Sequence, residues 1–423
     1  MSIYLINFTD AGDCDGAGCS VLSLLSLGVT DTDPVKMVTT IPVNRNRVKD
    51  IINLLIDNIN NFPRIVFPED MMQITHISGC ESDGNLEIVL TFTDIPVSLE
   101  CMALVDELAK KSPMRIVPHI IDHHKTNKDP LTYISNLSPD ETVWRNENII
   151  IHSEPRVMNL WNPIIGHTQI TNFDKVRLRS ATLLYYEWLC NEKFLTESSS
   201  LALFAYEISQ YDTFEFDTHY NDDIHCKNPD GYTILLNNIA INFTDWVYRI
   251  YNRFERRVNG RVVTDMFEFS GSDGFNKYTE KDVPFLIDKD DAMKISCLIE
   301  SREKRYRTTK SKMVTISKDS IVQFKDVDNV NINTLDGYTV GMSLITGDVS
   351  YNGNRLCKEI PEMDFVMFVD AVSMAVSMRA KKDTIDLTQI ATAFGGGGHP
   401  KAAGFPVDLD TLYKFVYLYH ANK

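Results

Sequence analysis

The chain has 423 residues, 43% of them hydrophobic and 24% charged, more than one ordinary core absorbs, so two or more domains are expected. A formal charge of −16 argues against an electrostatic grip on long nucleic acid, which depends on many Lys and Arg contacts to phosphate. No apolar run approaches the roughly 18–20 residues that cross a membrane, and the first residues lack the basic and apolar regions of a signal peptide, so a cytoplasmic protein is expected.

Residues 2–8 read as a strand, followed by a glycine-punctuated acidic loop and an apolar helix over 17–27. A second strand over 86–92 ends at Thr93-Asp94, residues 98–110 have helical periodicity, and a third strand over 114–121 runs into Asp122. Strand, loop and helix in repetition imply a parallel sheet with covering helices, and in such sheets ligands collect at the carboxyl ends of the strands. Residues 126–175 are polar and turn-rich, and read as an elaborated loop. Helices are expected over 180–190 and 198–210, the second stopping at Tyr211-Asp212.

From 226 to 320 the helical segments are long and the bases cluster: Arg249, Arg253, Arg256 and Arg257, then Arg302, Lys304, Arg305 and Arg307. A solvated face is the plainer reading of these bases and a phosphate-steering strip the sharper one. After 330 the pattern restarts with strands over 338–344, 365–369 and 375–379, a helix over 387–394, and the glycine run 395–398. The expected fold is α/β. An N-terminal parallel sheet with helices on both faces (1–225) leads through a helical connector (226–325) to a smaller C-terminal α/β domain with a mixed sheet (326–423).

Eight cysteines include no CxxC pair, against both a disulfide framework and a thiolate zinc site. Cys14 and Cys19 read as small packing residues. The acids carry more chemistry. Asp13-Cys14-Asp15-Gly16 sets two carboxylates on one side of an extended turn, because alternate residues share a face, and hard divalent cations favour carboxylates. Asp94 and Asp212 have two readings each, as metal ligands or as helix caps. Asp122-His123-His124 follows an apolar strand, and the pair of imidazoles is costly to bury without partners; Asp122 is placed to orient one of them. Two metals roughly 3.5–4 Å apart could clamp a phosphoryl oxygen and generate a hydroxide nucleophile near neutral pH.

The second cluster is Phe394-Gly395-Gly396-Gly397-Gly398-His399-Pro400. It reads as a phosphate-binding loop ahead of a helix, its successive N–H groups forming an anion nest and His399 touching a phosphate or ribose. A glycine-rich turn packed under a helix is the alternative.

With both clusters in view the chain resembles the DHH phosphoesterase superfamily with its C-terminal DHH-associated domain, nearest to the nano-RNase and cyclic-nucleotide phosphodiesterase branch. Besides Asp122-His123-His124 and the glycine run, the match is carried by Asp13-Cys14-Asp15-Gly16-Ala17-Gly18-Cys19, Thr93-Asp94, Ser180-Ala181-Thr182-Leu183, Gln210-Tyr211-Asp212-Thr213-Phe214, Gly353-Asn354-Arg355-Leu356 and Val376-Ser377-Met378-Arg379. The resemblance implies one metal held by Asp15, Asp94, His123 and Asp212, and a second held by Asp13, a bridging Asp94 and a residue of the first motif. His124 would meet the scissile phosphate, with Asp122 orienting the histidine pair. Arg379, His399 and the loop glycines Gly396, Gly397 and Gly398 would bind the nucleotide end, with Asn354 and Arg355 as helpers.

One departure stands out. The family places a metal-binding histidine shortly before the first aspartate, and Phe8-Thr9-Asp10-Ala11-Gly12-Asp13 contains none; Asp10 is the expected replacement. The implied activity is a phosphodiesterase using two Mn²⁺ ions, with Mg²⁺ or Co²⁺ as alternatives. It would cleave short oligonucleotides to nucleoside 5′-monophosphates in a cleft between the two domains. Related substrates are 3′-phosphoadenosine 5′-phosphate and cyclic mono- or dinucleotides; the rival from another class is a catalytically impaired nucleotide-binding regulator. No duplex or membrane partner is expected, and the likeness alone allows a homodimer.

Overall fold

The computed structural model describes residues 2–27, 34–43, 47–58, 73–77, 86–95, 97–122, 150–151, 180–196, 199–212, 236, 242–258, 289–317, 335, 337–345, 347–382 and 384–423. By compactness the chain divides into two units, Met1–Ser296 and Cys297–Lys423.

The first unit runs β1 (Ser2–Asp10), α1 (Cys14–Leu25), β2 (Val35–Val43), α2 (Val48–Asp57), β3 (Ile74–Ile77), β4 (Leu86–Thr93), α3 (Leu99–Lys111), β5 (Arg115–Asp122), β6 (Ile150–Ile151), α4 (Ala181–Asn191), α5 (Ser199–Asp212) and α6 (Phe243–Val258). Its sheet has the order β3-β2-β1-β4-β5-β6. All neighbours are parallel except β3, which pairs antiparallel with β2 at one edge.

Central parallel strands are covered on both faces, so their sequences are apolar on both rather than alternating. β1 fits: it is buried from Ser2 to Thr9. On one face Tyr4, Ile6 and Phe8 join Ile88, Leu90, Phe92, Ile116 and Ile120 in a core closed by α2 and α3. Phe8 and Phe92 face each other across the β1–β4 pair with ring centroids 5.0 Å apart.

The other face is unusually polar. Asn7 Oδ1 accepts from the Thr91 hydroxyl at 2.9 Å and the Thr93 hydroxyl at 3.0 Å. Ser20 of α1 bonds Thr40 at 2.8 Å, and Tyr185 of α4 bonds Ser23 at 3.0 Å. The His119 ring lies 4.7 Å from that of Trp188. Each hydroxyl finds a partner, as burial demands, so this face is specified by hydrogen bonding as well as by volume.

A helix, α7 (Lys289–Lys312), spans the boundary, and the second unit continues with β7 (Val314–Ile316), β8 (Val340–Ser343), α8 (Val349–Glu359), β9 (Phe365–Asp370), β10 (Ala375–Arg379), α9 (Leu387–Ala393), β11 (Gly397–His399), β12 (Ala402–Pro406) and α10 (Leu409–Ala421). Its sheet, β11-β12-β10-β9-β8-β7, is mixed, with only β8 and β9 parallel. The expected α/β class and the contrast between a largely parallel first sheet and a mixed second one are both observed.

In the second unit, α7 and α8 interlock through charge on aromatic faces. Arg302 stacks 3.9 Å from the Tyr351 ring centroid and Arg355 stacks 4.1 Å from that of Tyr306. Arg355 also bridges Glu303 and Glu359. Burial works to raise the Glu359 pKa, but hydrogen bonds from Lys310, Tyr306 and Arg355 outweigh it and bring it down to about 2.

Candidate metal centre

The carboxyl ends of β1, β4 and β5 deliver the acids. The chain leaves β1 toward β2 on one side, while β4 lies on the other; such a switch point leaves a crevice above the strand ends. Asp10 ends β1, Asp94 directly follows β4, and Asp122 is the last residue of β5. Asp94 and Asp122 are buried.

Asp13 and Asp15 do not sit on an extended turn as expected. Asp13 is the N-cap of α1, its Oδ1 accepting from the amides of Asp15 at 2.9 Å and Gly16 at 3.1 Å, and Asp15 lies in the first helical turn. The correction has a local cause: an Asp two residues ahead of free amides satisfies them better as a cap than it does exposed in a loop. Asp94 shows the reverse. The cap of α3 is Ser98, which accepts from the Cys101 amide at 3.2 Å, so Asp94 is released from capping. Its backbone takes a left-handed φ of 55°, a conformation Asp and Asn tolerate better than other side chains.

The charges converge. Burial pushes the Asp94 carboxyl well above the usual range, and the nearby carboxylates of Asp13, Asp15, Asp212 and Asp122 push it further. Desolvation, then Asp15 and Asp10, likewise raise Asp13, opposed by the two capping amides. Asp13, Asp15, Asp122 and Asp212 are therefore within electrostatic reach of Asp94, and Asp10 and Asp15 within reach of Asp13. Asp10 turns back on itself, its Oδ1 accepting from the Gly12 amide at 2.8 Å; Thr9, beside it, is buried and donates to the Gly16 carbonyl at 2.9 Å.

Asp15 has the fullest set of partners. Its Oδ1 accepts from the Ser180 hydroxyl at 2.6 Å and the Thr182 amide at 2.9 Å, and its Oδ2 from the Ala181 amide at 2.8 Å. The Thr182 hydroxyl in turn donates to the Asp15 carbonyl at 2.6 Å. The first turn of α4 is thus capped by an acid from α1. Ser180, Thr182 and Ser209 are residues that reasoning from chemistry alone passed over. Ser180 and Thr182 lay inside a stretch carried by family likeness, but nothing in the sequence marked Ser209. Cys14 and Cys19 are buried packing residues, as expected.

His123 and His124 lie outside the described residues. Among the described residues no group of three or more His, Cys, Asp or Glu side chains stands ready to hold a metal ion. The donor chemistry nevertheless fits a hard divalent cation. The side chains are oxygen donors of one sign, crowded until Asp94 resists ionising, and an ion of charge +2 is the species that relieves such crowding.

In the second unit Arg379 donates through Nη2 to the Ser350 hydroxyl at 2.8 Å. Its stem packs so close to Gly353 that a Cβ there would lie 2.5 Å from Arg379 Cγ. Asn354 donates to the Ser350 carbonyl at 2.9 Å, and Arg355 is engaged by Glu303 and Glu359.

The glycine run does not precede a helix; it follows α9 and enters the β11–β12 hairpin. The Gly396 amide donates to the Ala391 carbonyl at 2.8 Å and the Gly395 amide to Thr392 at 3.0 Å, with Gly395 at φ 76°. This is a Schellman closure of α9, so those two amides are spent on the helix end rather than aimed at an anion. A Cβ on Gly396 would collide with the Gly404 carbonyl, and one on Gly398 would lie 2.6 Å from the Ala402 carbonyl. Gly397 alone in the run has neither a left-handed φ nor any atom within 4 Å of such a Cβ. Gly397→Ala is therefore expected to stay within about 0.5 kcal/mol of wild-type stability. A raised KM at that stability, measured by thermal melts and steady-state kinetics, would mark close ligand approach; an unchanged KM would assign the run to folding alone.

No family model matches the chain. The chain is 26% identical over 404 residues to oligoribonuclease NrnB of Bacillus subtilis (strain 168), covering 96% of this chain and 73% of that protein. Among solved structures, a pGpG-specific phosphodiesterase from Vibrio aligns at a TM-score of 0.39 and 12% identity over 100% of both chains. Exonuclease RecJ bound to manganese aligns at 0.38 and 12%, over 99% of this chain and 89% of that one. An exopolyphosphatase-related protein from Bacteroides fragilis reaches 0.42 and 14%, over 99% and 92%. Scores that low add no weight of their own. The motif series resembles that of the DHH phosphoesterases, and the similarity to the oligoribonuclease runs along nearly the whole of this chain.

Proposed function

We propose that the chain is a metal-dependent phosphodiesterase that hydrolyses short oligonucleotides to nucleoside 5′-monophosphates. The observation that carries this reading is the convergence of Asp13, Asp15, Asp122 and Asp212 on the buried Asp94. Like charges are costly to gather in a buried place unless a cation is to neutralise them. The similarity to an oligoribonuclease along nearly the whole of this chain supports the substrate class.

Mn²⁺ is the proposed ion, with Mg²⁺ as the alternative. Asp15, Asp94, His123 and Asp212 would hold one ion, and Asp10, Asp13 and the shared Asp94 a second. When bound, such ions supply the positive charge that polarises a phosphoryl oxygen and lowers the pKa of a water. His124 would meet the scissile phosphate and Asp122 orient the paired imidazoles. Arg379, His399 and Gly397 are the proposed contacts to the nucleotide end, and Arg379 is the better candidate than Arg355, whose guanidinium is engaged by two glutamates.

The test is purified protein with end-labelled diadenylate and Mn²⁺. Labelled AMP is expected, lost with EDTA and restored by excess Mn²⁺. Binding without product would favour the nucleotide-binding regulator, a reading motivated by the first motif, which offers Thr9 and Asp10 where the family has a histidine. A panel including 3′-phosphoadenosine 5′-phosphate and cyclic dinucleotides in the same buffer ranks the substrates by kcat/KM.

A further inference from the structure

We propose that Ser180 is a positioning residue that fixes the separation of Asp15 and Asp212; the inference rests on the metal-centre reading above. Ser180 occupies the N-cap of α4, where a serine normally accepts from an amide of its own first turn. Here it makes no side-chain cap bond. Its hydroxyl donates instead to Asp15 Oδ1 at 2.6 Å, and the Asp15 carboxylate takes over the cap by accepting the Ala181 and Thr182 amides. The Ser180 amide points elsewhere, donating to the Ser209 hydroxyl at 2.9 Å. Ser209 lies on α5 one turn before Asp212, and residues three apart share a helix face.

One residue thus holds α1 through its side chain and α5 through its backbone. Asp15 is turned toward α4 by three donors, and the helix that carries Asp212 is registered against the same turn. Ser180, Asp15 and Ser209 are all buried, so water does not compete for these bonds. Groups that hold ligands in this way commonly change metal affinity by roughly 10–100-fold when removed.

The test uses the full chain. Mn²⁺ affinity is measured by calorimetric titration of metal-free protein for wild type, Ser180→Ala, Ser180→Thr and Ser209→Ala, with the metal-free melting temperature alongside. Ser180→Ala is expected to bind Mn²⁺ about 10–100-fold more weakly, and Ser180→Thr, which keeps the hydroxyl, to recover most of that loss. A merely structural role would lower the melting temperature and leave Mn²⁺ affinity within about twofold, below the range such a support produces; that result overturns the proposal. Should Ser180→Ala fail to fold, Ser209→Ala carries the test, since it cuts the link to α5 and leaves the Ser180–Asp15 bond in place, and unchanged Mn²⁺ affinity again overturns it. A wild type that neither binds Mn²⁺ nor cleaves diadenylate sinks the functional reading and this inference together. A wild type that does both, beside an unaffected Ser180→Ala, refutes the positioning role alone.

Discussion

Replacing Asp94 with asparagine is expected to abolish turnover while raising the melting temperature of the metal-free protein. Asp94 is the acid on which the others converge, so its loss removes the shared oxygen of the proposed site. A fall in kcat/KM on the order of 10³-fold or more is expected, equivalent to about 4 kcal/mol of transition-state stabilisation. Stability moves the other way for an electrostatic reason. Burial and four neighbouring carboxylates raise the Asp94 pKa in the folded state. A raised carboxylate pKa stabilises the fold below the unfolded pKa, and that contribution is lost as pH rises through the folded value. At neutral pH the wild type therefore bears a penalty that asparagine does not, and each 1 kcal/mol relieved is worth roughly 2–4 °C for a unit of this size. The gap between variant and wild type should widen from pH 5 to pH 8 and close when Mn²⁺ is added. Asparagine is the right probe because it tolerates the left-handed backbone of residue 94; alanine would add strain there and blur the comparison. A variant less stable than wild type at pH 8 would mean that the acids are not crowded as described.

Gly16→Ala should be the most damaging Gly→Ala change among the described glycines of the first unit. A Cβ at Gly16 would collide with the backbone carbonyl of Asp10 and lie within 3.1 Å of its nitrogen. Neither atom belongs to a flexible side chain, so the β1–α1 turn itself must move. Overpacking of this kind typically costs about 1–3 kcal/mol and sometimes more; against backbone the upper end, about 3 kcal/mol, is expected, or roughly 6–12 °C in melting temperature. The same turn carries Asp10, Asp13 and Asp15, so activity should fall even in the fraction that stays folded. Thermal melts and Mn²⁺ titration of the purified variant check both parts. Wild-type melting and metal binding would show that the turn has slack its packing does not suggest.

The sequence made the strand-end acids legible because each strand that carries one is a largely apolar segment, broken only by single polar residues such as Asn7, Thr91 and His119, that runs into an Asp. β1, β4 and β5 were all readable in that way, to within one or two residues at their ends. β2, α2 and β3 were not. β2 reads Val35-Lys36-Met37-Val38-Thr39-Thr40-Ile41-Pro42-Val43, and its threonines and proline obscure the pattern. The threonines are explained by the polar helix-facing surface and by Tyr4, which bonds Thr39 at 2.8 Å. The proline is tolerated because β3 pairs only with Met37–Thr40 of β2, so no ladder bond is lost beside it. The glycine run was legible as special but not as what it is. Four glycines suit an anion nest and a Schellman closure equally, and only the helix end before them decides. Asp15 shows the same limit: its residue type announced a ligand, and its three donors come from a turn far along the chain.

The order of the strands has a consequence for how the molecule is made. β1 leaves the ribosome before β2 and β4 yet takes its place between them, and the acids that follow it wait for partners as distant in sequence as Asp212. Contacts of such long sequence separation form slowly. Pairing of β1, β4 and β5 gathers Asp10, Asp94 and Asp122, while the helix that carries Asp212 is made later. The share of like-charge crowding that Asp212 adds around Asp94 is thereby the last to arrive.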